Sequence, residues 1–131
     1  MMSKVFQQLL DIKSEKGAGY IVLIDPDRKN EDTLVKQVTV ANKSSVDALF
    51  VGGSLMMDSK HNERVAVIKK EADIPVIFFP GGLNQLNQYY DAILFMSLLS
   101  GRNPQYLIGE QVVAAPIIND LGIEVIPTGY L

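Results

Sequence analysis

Five short and almost uninterrupted apolar runs recur along the chain, at residues 20–24, 48–51, 75–79, 92–96 and 123–126. A run without polar alternation marks a strand covered on both faces, which in α/β proteins means a parallel strand between layers. The stretches between the runs carry apolar residues at helical spacing, and strand followed by helix, repeated, implies right-handed crossovers and a parallel sheet. Each run gives way to a small or polar residue: Asp25, Gly52, Pro80, Ser97 or Thr128. Ligands of α/β proteins bind on the loops that leave the C-terminal strand ends. The segments Ile24-Asp25-Pro26-Asp27, Gly52-Gly53-Ser54, Phe79-Pro80-Gly81-Gly82 and Ile126-Pro127-Thr128-Gly129-Tyr130-Leu131 are therefore candidates for one shared site.

The helical stretches read in order. Val5, Leu9 and Ile12, with Phe6 and Leu10 beside them, make an amphipathic first helix that stops at Gly17 and Gly19. Asn30 is placed to cap a second helix with Glu31 and Asp32 in its first turn and a buried stripe of Leu34, Val38 and Ala41. Val65, Ile68 and Ala72 mark the third. Between the third and fourth strands only a turn or two fits, around residues 86–90. Asn103-Pro104 opens the last helix, which runs through Leu107, Ile108, Val112 and Val113, kinks near Pro116 and ends at Gly122.

Composition removes several classes. A net charge of −3 argues against a nucleic-acid groove, and the absence of cysteine excludes disulfides and thiolate metal sites. The first 16 residues hold charges among their apolar residues and lack a signal-peptide core. No apolar run approaches the ~18 residues of a membrane span. A cytoplasmic protein is the expectation. At 131 residues the chain suits one domain, and length alone favours a complete doubly wound sheet over half of an eight-stranded (β/α) barrel.

The motifs point the other way. Leu-Ile-Asp-Pro-Asp after the first strand, Val-Gly-Gly-Ser after the second, Phe-Phe-Pro-Gly after the third and the long segment from Phe95 to Gly109 resemble the geranylgeranylglyceryl phosphate synthase family. The closing Glu-Val-Ile-Pro-Thr-Gly-Tyr-Leu is similar to that family's fifth strand. The resemblance covers essentially the whole chain in order, and Asp25-Pro26-Asp27-Arg28 and Ser100-Gly101-Arg102-Asn103-Pro104 resemble its bacterial branch better than its archaeal one. It implies that residues 1–131 form a single incomplete α/β domain: a leading helix and strands one to five, the N-terminal half of a (β/α)8 barrel.

The resemblance further implies a prenyltransferase. Such enzymes join the C3 hydroxyl of sn-glycerol 1-phosphate to geranylgeranyl diphosphate or a similar prenyl diphosphate, release diphosphate and form an ether-lipid precursor. Mg²⁺ is the cofactor implied, with Asp25 and Ser54 at the family's metal-binding positions. Their chemistry suits it, since Mg²⁺ takes one or two carboxylates plus substrate oxygens and waters. Asp27 is adjacent and acidic, but its place in the turn suits capping or positioning Arg28. Tyr130 stands where a hydroxyl can reach substrate, although a chain terminus tends to fray. Residues 79–82 and 96–99 are candidates for an apolar prenyl channel, with ordinary core packing the alternative for Phe78, Phe79, Phe95 and Met96, and Phe50, Phe79 and Phe95 read as inner-face residues of the half-barrel. His61, in a polar loop, reads as a surface residue.

In the family, the glycerol-phosphate site and the acid–base residues belong mostly to the sixth, seventh and eighth strands, beyond the five read here. An inactive truncated fragment is therefore the first alternative, and a homo-oligomer is expected for a full-length parent. The second alternative, a Mg²⁺-binding receiver-like module, needs an Asp after the third strand and a Lys after the fifth. Pro80-Gly81 and Pro127-Thr128 stand there instead.

Overall fold

In the computed structural model, which describes residues 4–53 and 58–131, the strands are β1 (Ile21–Ile24), β2 (Ala48–Val51), β3 (Val76–Phe78), β4 (Ala92–Leu98) and β5 (Glu124–Tyr130). The helices are α1 (Lys4–Lys16), α2 (Leu34–Lys43), α3 (His61–Glu71) and α4 (Glu110–Leu121). All neighbouring strands pair in parallel, and their order in space is their order in sequence. A doubly wound sheet reverses its strand order to place helices on both faces. Here nothing reverses. The sheet is an open section of a (β/α) barrel.

Side-chain alternation builds two apolar layers. Ile24, Leu49, Val51, Phe78 and Ile93 point outward and pack with Leu34 and Val38 of α2, Val65 and Ile68 of α3, and Ile118 of α4. Burying each of these large side chains stabilises the fold by roughly 1.5–3 kcal/mol. Ala48, Ile77, Ala92, Leu94 and Ile126 point to the concave face, where Val5 and Leu9 of α1 cover them. Ala48 and Ala92 are the first residues of their strands, and their small side chains leave room for the helix. Phe79 and Met96 are concave, whereas Phe78 and Phe95 lie in the helix-facing layer.

The N-terminal strand ends are pinned by polar ties. The Glu124 carboxylate accepts from the amides of Val5 and Phe6 at 2.8 and 2.9 Å, near the N-terminal end of the described α1. Asp47 accepts from the Tyr20 amide at 2.8 Å and pairs with Lys16. The Lys16 hydrogen bond, then the Tyr20 amide, hold its carboxyl below the ordinary carboxylate range. Asp91 accepts from Lys69 at 2.7 Å and from the Val76 amide at 2.8 Å. These ties brace the end of the sheet opposite the rim loops.

Several elements differ from the sequence reading. Asp27, not Asn30, provides the cap: it accepts from the Lys29 amide and opens a 3₁₀ turn, Arg28–Thr33, that precedes α2. Asn30 turns its amide back to the Asp25 carbonyl at 2.9 Å. The short turn after β3 is Leu83–Gln85 rather than residues 86–90, because Gly82 starts it earlier. Helical irregularity precedes Pro116: residues Gln105–Gly109 wind as a π-turn, and Pro116 sits inside α4. Gly122, with φ of 67°, closes α4 in the left-handed conformation. Both β4 and β5 outlast their apolar runs, since seven register pairs from Ala92↔Glu124 to Leu98↔Tyr130 carry them through Ser97, Thr128 and Gly129.

Candidate functional site

Adjacent strands place the ends of β1, β2 and β3 side by side. Asp25 leaves β1 half-buried, and no described residue donates a hydrogen bond to its carboxylate. Its nearest neighbour is the β2 loop. A Cβ on Gly53 would lie 2.5 Å from Asp25 Oδ1, so only glycine lets the loop backbone approach the carboxylate this closely. The β3 loop comes equally close to the β2 loop, because a Cβ on Gly81 would strike the Gly53 carbonyl.

Gln85 joins those two loops. Its Nε2 donates to the Gly53 carbonyl at 2.8 Å, and its Oε1 accepts from the Gly81 amide at 3.2 Å. Behind it, the Tyr90 hydroxyl and Asn87 Nδ2 both donate to the Gln85 carbonyl, at 3.2 and 3.3 Å. His61 Nε2 lies 3.2 Å from the Tyr90 hydroxyl. Burial raises the Tyr90 phenol well above its ordinary range. Burial first and the Arg64 charge second push the His61 imidazole down, with the Gln85 backbone and then the Asp25 and Asp58 charges pulling the other way. His61 is only 5% exposed, which corrects its reading as a surface residue. It opens α3, and the ring turns inward toward Tyr90 rather than into the polar loop before it.

Arg64 ties the rim together beside this network. Its guanidinium donates to Asp58 at 2.7 and 2.8 Å and to Glu31 at 2.9 Å, joining the start of α3 to the turn after β1. The Arg64 hydrogen bonds hold the Asp58 carboxyl far below its ordinary range.

Tyr130 is not frayed. It pairs with Leu98 in the sheet, and its ring meets Phe79 edge-on with centroids 6.3 Å apart. Phe79 in turn meets Phe50 at 5.7 Å. A β5 side chain thus reaches one just past the end of β3, across β4, as a curled sheet allows. The resulting aromatic row, Phe50–Phe79–Tyr130, lines the concave face. The Tyr130 hydroxyl takes no hydrogen bond among the described residues.

Of the sequence candidates, Asp25 stands at the rim and Tyr130 in the aromatic row, while Ser54 lies outside the described residues. Among the described residues no three His, Cys, Asp or Glu side chains gather to cage a metal ion. A lone carboxylate does fit Mg²⁺ brought by a diphosphate, because phosphate oxygens and waters fill most of that ion's octahedron. The sequence reading missed Gln85, Tyr90 and Asn87, which lie in a short polar stretch with no motif.

The comparisons bear on the fold and the family. The PcrB family profile matches residues 10–131. Geranylgeranylglyceryl phosphate synthase of Chitinophaga pinensis is 40% identical over 131 residues, all of this chain and 52% of that protein. The synthase of Methanosphaera stadtmanae is 45% identical over 112 residues, 86% of this chain and 46% of that protein. Identity alone therefore does not separate bacterial from archaeal relatives. The crystal structure of (S)-3-O-geranylgeranylglyceryl phosphate synthase from Thermoplasma acidophilum in complex with its substrate sn-glycerol-1-phosphate superposes with a TM-score of 0.86 at 36% identity. It is matched over 100% of this chain and 53% of that one. The chain spans about half the length of the curated relatives it matches. With its motifs, sequential parallel strands and profile match in agreement, the chain belongs to the PcrB family of geranylgeranylglyceryl phosphate synthases and comprises about half of that family's barrel.

Proposed function

We propose that this chain supplies the prenyl-diphosphate side of a prenyltransferase that alkylates sn-glycerol 1-phosphate. In that reaction the C3 hydroxyl oxygen bonds to the allylic carbon, the carbon–oxygen bond to diphosphate breaks, and the hydroxyl proton leaves to a base. The observation that carries the reading is the Asp25 carboxylate: it stands at the end of β1 against a glycine loop and takes no hydrogen bond from any described residue. Asp25, with Ser54 on the next loop, would hold Mg²⁺, which when bound neutralises charge on the departing diphosphate. The concave row of Phe50, Phe79 and Tyr130 offers apolar surface to a prenyl tail, with the Tyr130 hydroxyl available to substrate.

A second reading is that these 131 residues by themselves are inactive. The open concave face favours it, with Leu23 56% and Tyr130 47% exposed where a closed barrel would cover them. A homo-oligomer is the assembly we propose for a full-length parent. No described helix is long and apolar enough to cross a membrane. The test is incubation of the gene product carrying this sequence with glycerol 1-phosphate, Mg²⁺ and a panel of labelled prenyl diphosphates. Ether product with one chain length supports the proposal, and no ether product with any of them sinks it.

A further inference from the structure

We infer that Gln85 is a positioning residue whose buried carboxamide clamps the β2 and β3 loops together and so holds Gly53 against the Asp25 carboxylate. The inference rests on the reading of Asp25 given above and deepens it. A primary amide that is 2% exposed must find partners for both of its ends or lose the hydrogen bonds it made in water. Gln85 finds them on the two site loops, donating to the Gly53 carbonyl and accepting from the Gly81 amide. Neither bond belongs to the sheet.

The clamp is itself braced. The Gln85 carbonyl accepts from Tyr90 and Asn87, and the Tyr90 ring stacks on Phe78 at 4.5 Å in the outer core. Core packing therefore reaches the loops through the Gln85 side chain. Glycines at 53 and 81 let the loops close to contact, and the amide fixes them there. A side chain of equal length without the amide fills the space and leaves the loop spacing loose. Partners that orient a metal-binding group in this way typically change metal affinity about 10–100-fold when removed.

Amide exchange and metal binding on the gene product carrying this sequence test the inference together. Gly81 is exposed, so its amide protection reports its bond to Gln85, while the Leu49 amide, bonded to Pro75 at 2.9 Å, reports the sheet. Gln85→Met is expected to speed Gly81 exchange about tenfold, as loss of one hydrogen bond does, and to leave Leu49 unchanged. It is also expected to weaken binding of Mg²⁺ with inorganic diphosphate about tenfold, with Asp25→Asn weakening it further. Unchanged Gly81 exchange in Gln85→Met overturns the clamp. Faster exchange with unchanged affinity, where Asp25→Asn does lose binding, overturns its link to the site. If Leu49 also loses protection, diphosphate binding by Gln85→Glu at pH 8 decides, because its carboxylate keeps the acceptor for Gly81 but sets a repelling oxygen against the Gly53 carbonyl; unchanged affinity there overturns the clamp's link to the site. Wild-type affinity in Asp25→Asn, or no binding by the unsubstituted protein, removes the Asp25 reading itself and the clamp's purpose with it.

Discussion

Gly53→Ala separates the site from the fold. The new methyl group would lie 2.5 Å from Oδ1 of Asp25 and 3.1 Å from its Cγ, whereas ordinary contact begins near 3.4 Å. The carboxylate must therefore retreat by about 0.9 Å. Nothing in the backbone forbids the alanine, because the only glycines with positive φ are Gly17 and Gly122 among the described residues. The struck group is the end of a side chain, and an off-rotamer position costs it roughly 0.5–1.5 kcal/mol. That loss lowers the melting temperature by roughly 2–8 °C in a domain of this size. Catalysis is more sensitive, since a misplacement of about 1 Å can cost about 10²-fold, or about 2.7 kcal/mol of transition-state stabilisation. The assay is initial-rate prenyl transfer across a Mg²⁺ titration, run beside a thermal melt on the gene product carrying this sequence. A variant that melts within those few degrees and transfers at the wild-type rate at limiting Mg²⁺ would refute the reasoning. Gly52→Ala and Gly81→Ala are poorer tests, since their methyl groups strike the backbone carbonyls of Phe79 and Gly53 and disturb the fold along with the site.

Two further outcomes follow from the same coordinates. His61 is held neutral by burial, so the unfolded chain takes up a proton first as the pH falls, and stability present above about pH 6.5 declines below it by up to about 1.4 kcal/mol per pH unit. Urea melts between pH 5 and 8 should show that decline and its reduction in His61→Asn; an NMR titration of this single histidine above 6.5 would contradict it. The isolated 131-residue polypeptide should self-associate, because β1 and β5 each leave one edge unpaired among the described residues and Ile108 and Val112 of the last helical stretch stand 57% and 66% exposed. Sedimentation velocity checks this, and a stable dilute monomer with one cooperative melt would count against it.

Much of the architecture was legible because strand burial writes itself into composition. Runs such as residues 48–51 are apolar throughout since helices cover one face and the concave core the other. Strand order was not legible, since apolar runs carry no record of their neighbours; only the ordered motifs pointed to a barrel. Ends blurred where sheet pairing overrode composition, as at Ser97 and Gly129. Phe50, Phe79 and Phe95 all read as concave, yet Phe95 falls one position out of phase and joins the helix-facing layer. In the candidate site, Asp25 and the glycine loop stood out only through the ordered motifs, since Asp-Pro-Asp and Gly-Gly-Ser are by themselves common turn and loop signals. Gln85 and His61 were invisible, since a polar residue in a polar stretch gives no sign that a fold will bury it.

The central claim is that the Asp25 carboxylate holds the magnesium diphosphate of a prenyl donor. Asp25→Ala in the gene product carrying this sequence measures it most directly, by ether product formed from glycerol 1-phosphate and labelled prenyl diphosphate with saturating Mg²⁺. Loss of product to background, with a melt close to that of the unsubstituted protein, is the predicted result. Product formed at near the unsubstituted rate, even when Mg²⁺ is made limiting, would contradict it and leave Asp25 a turn residue.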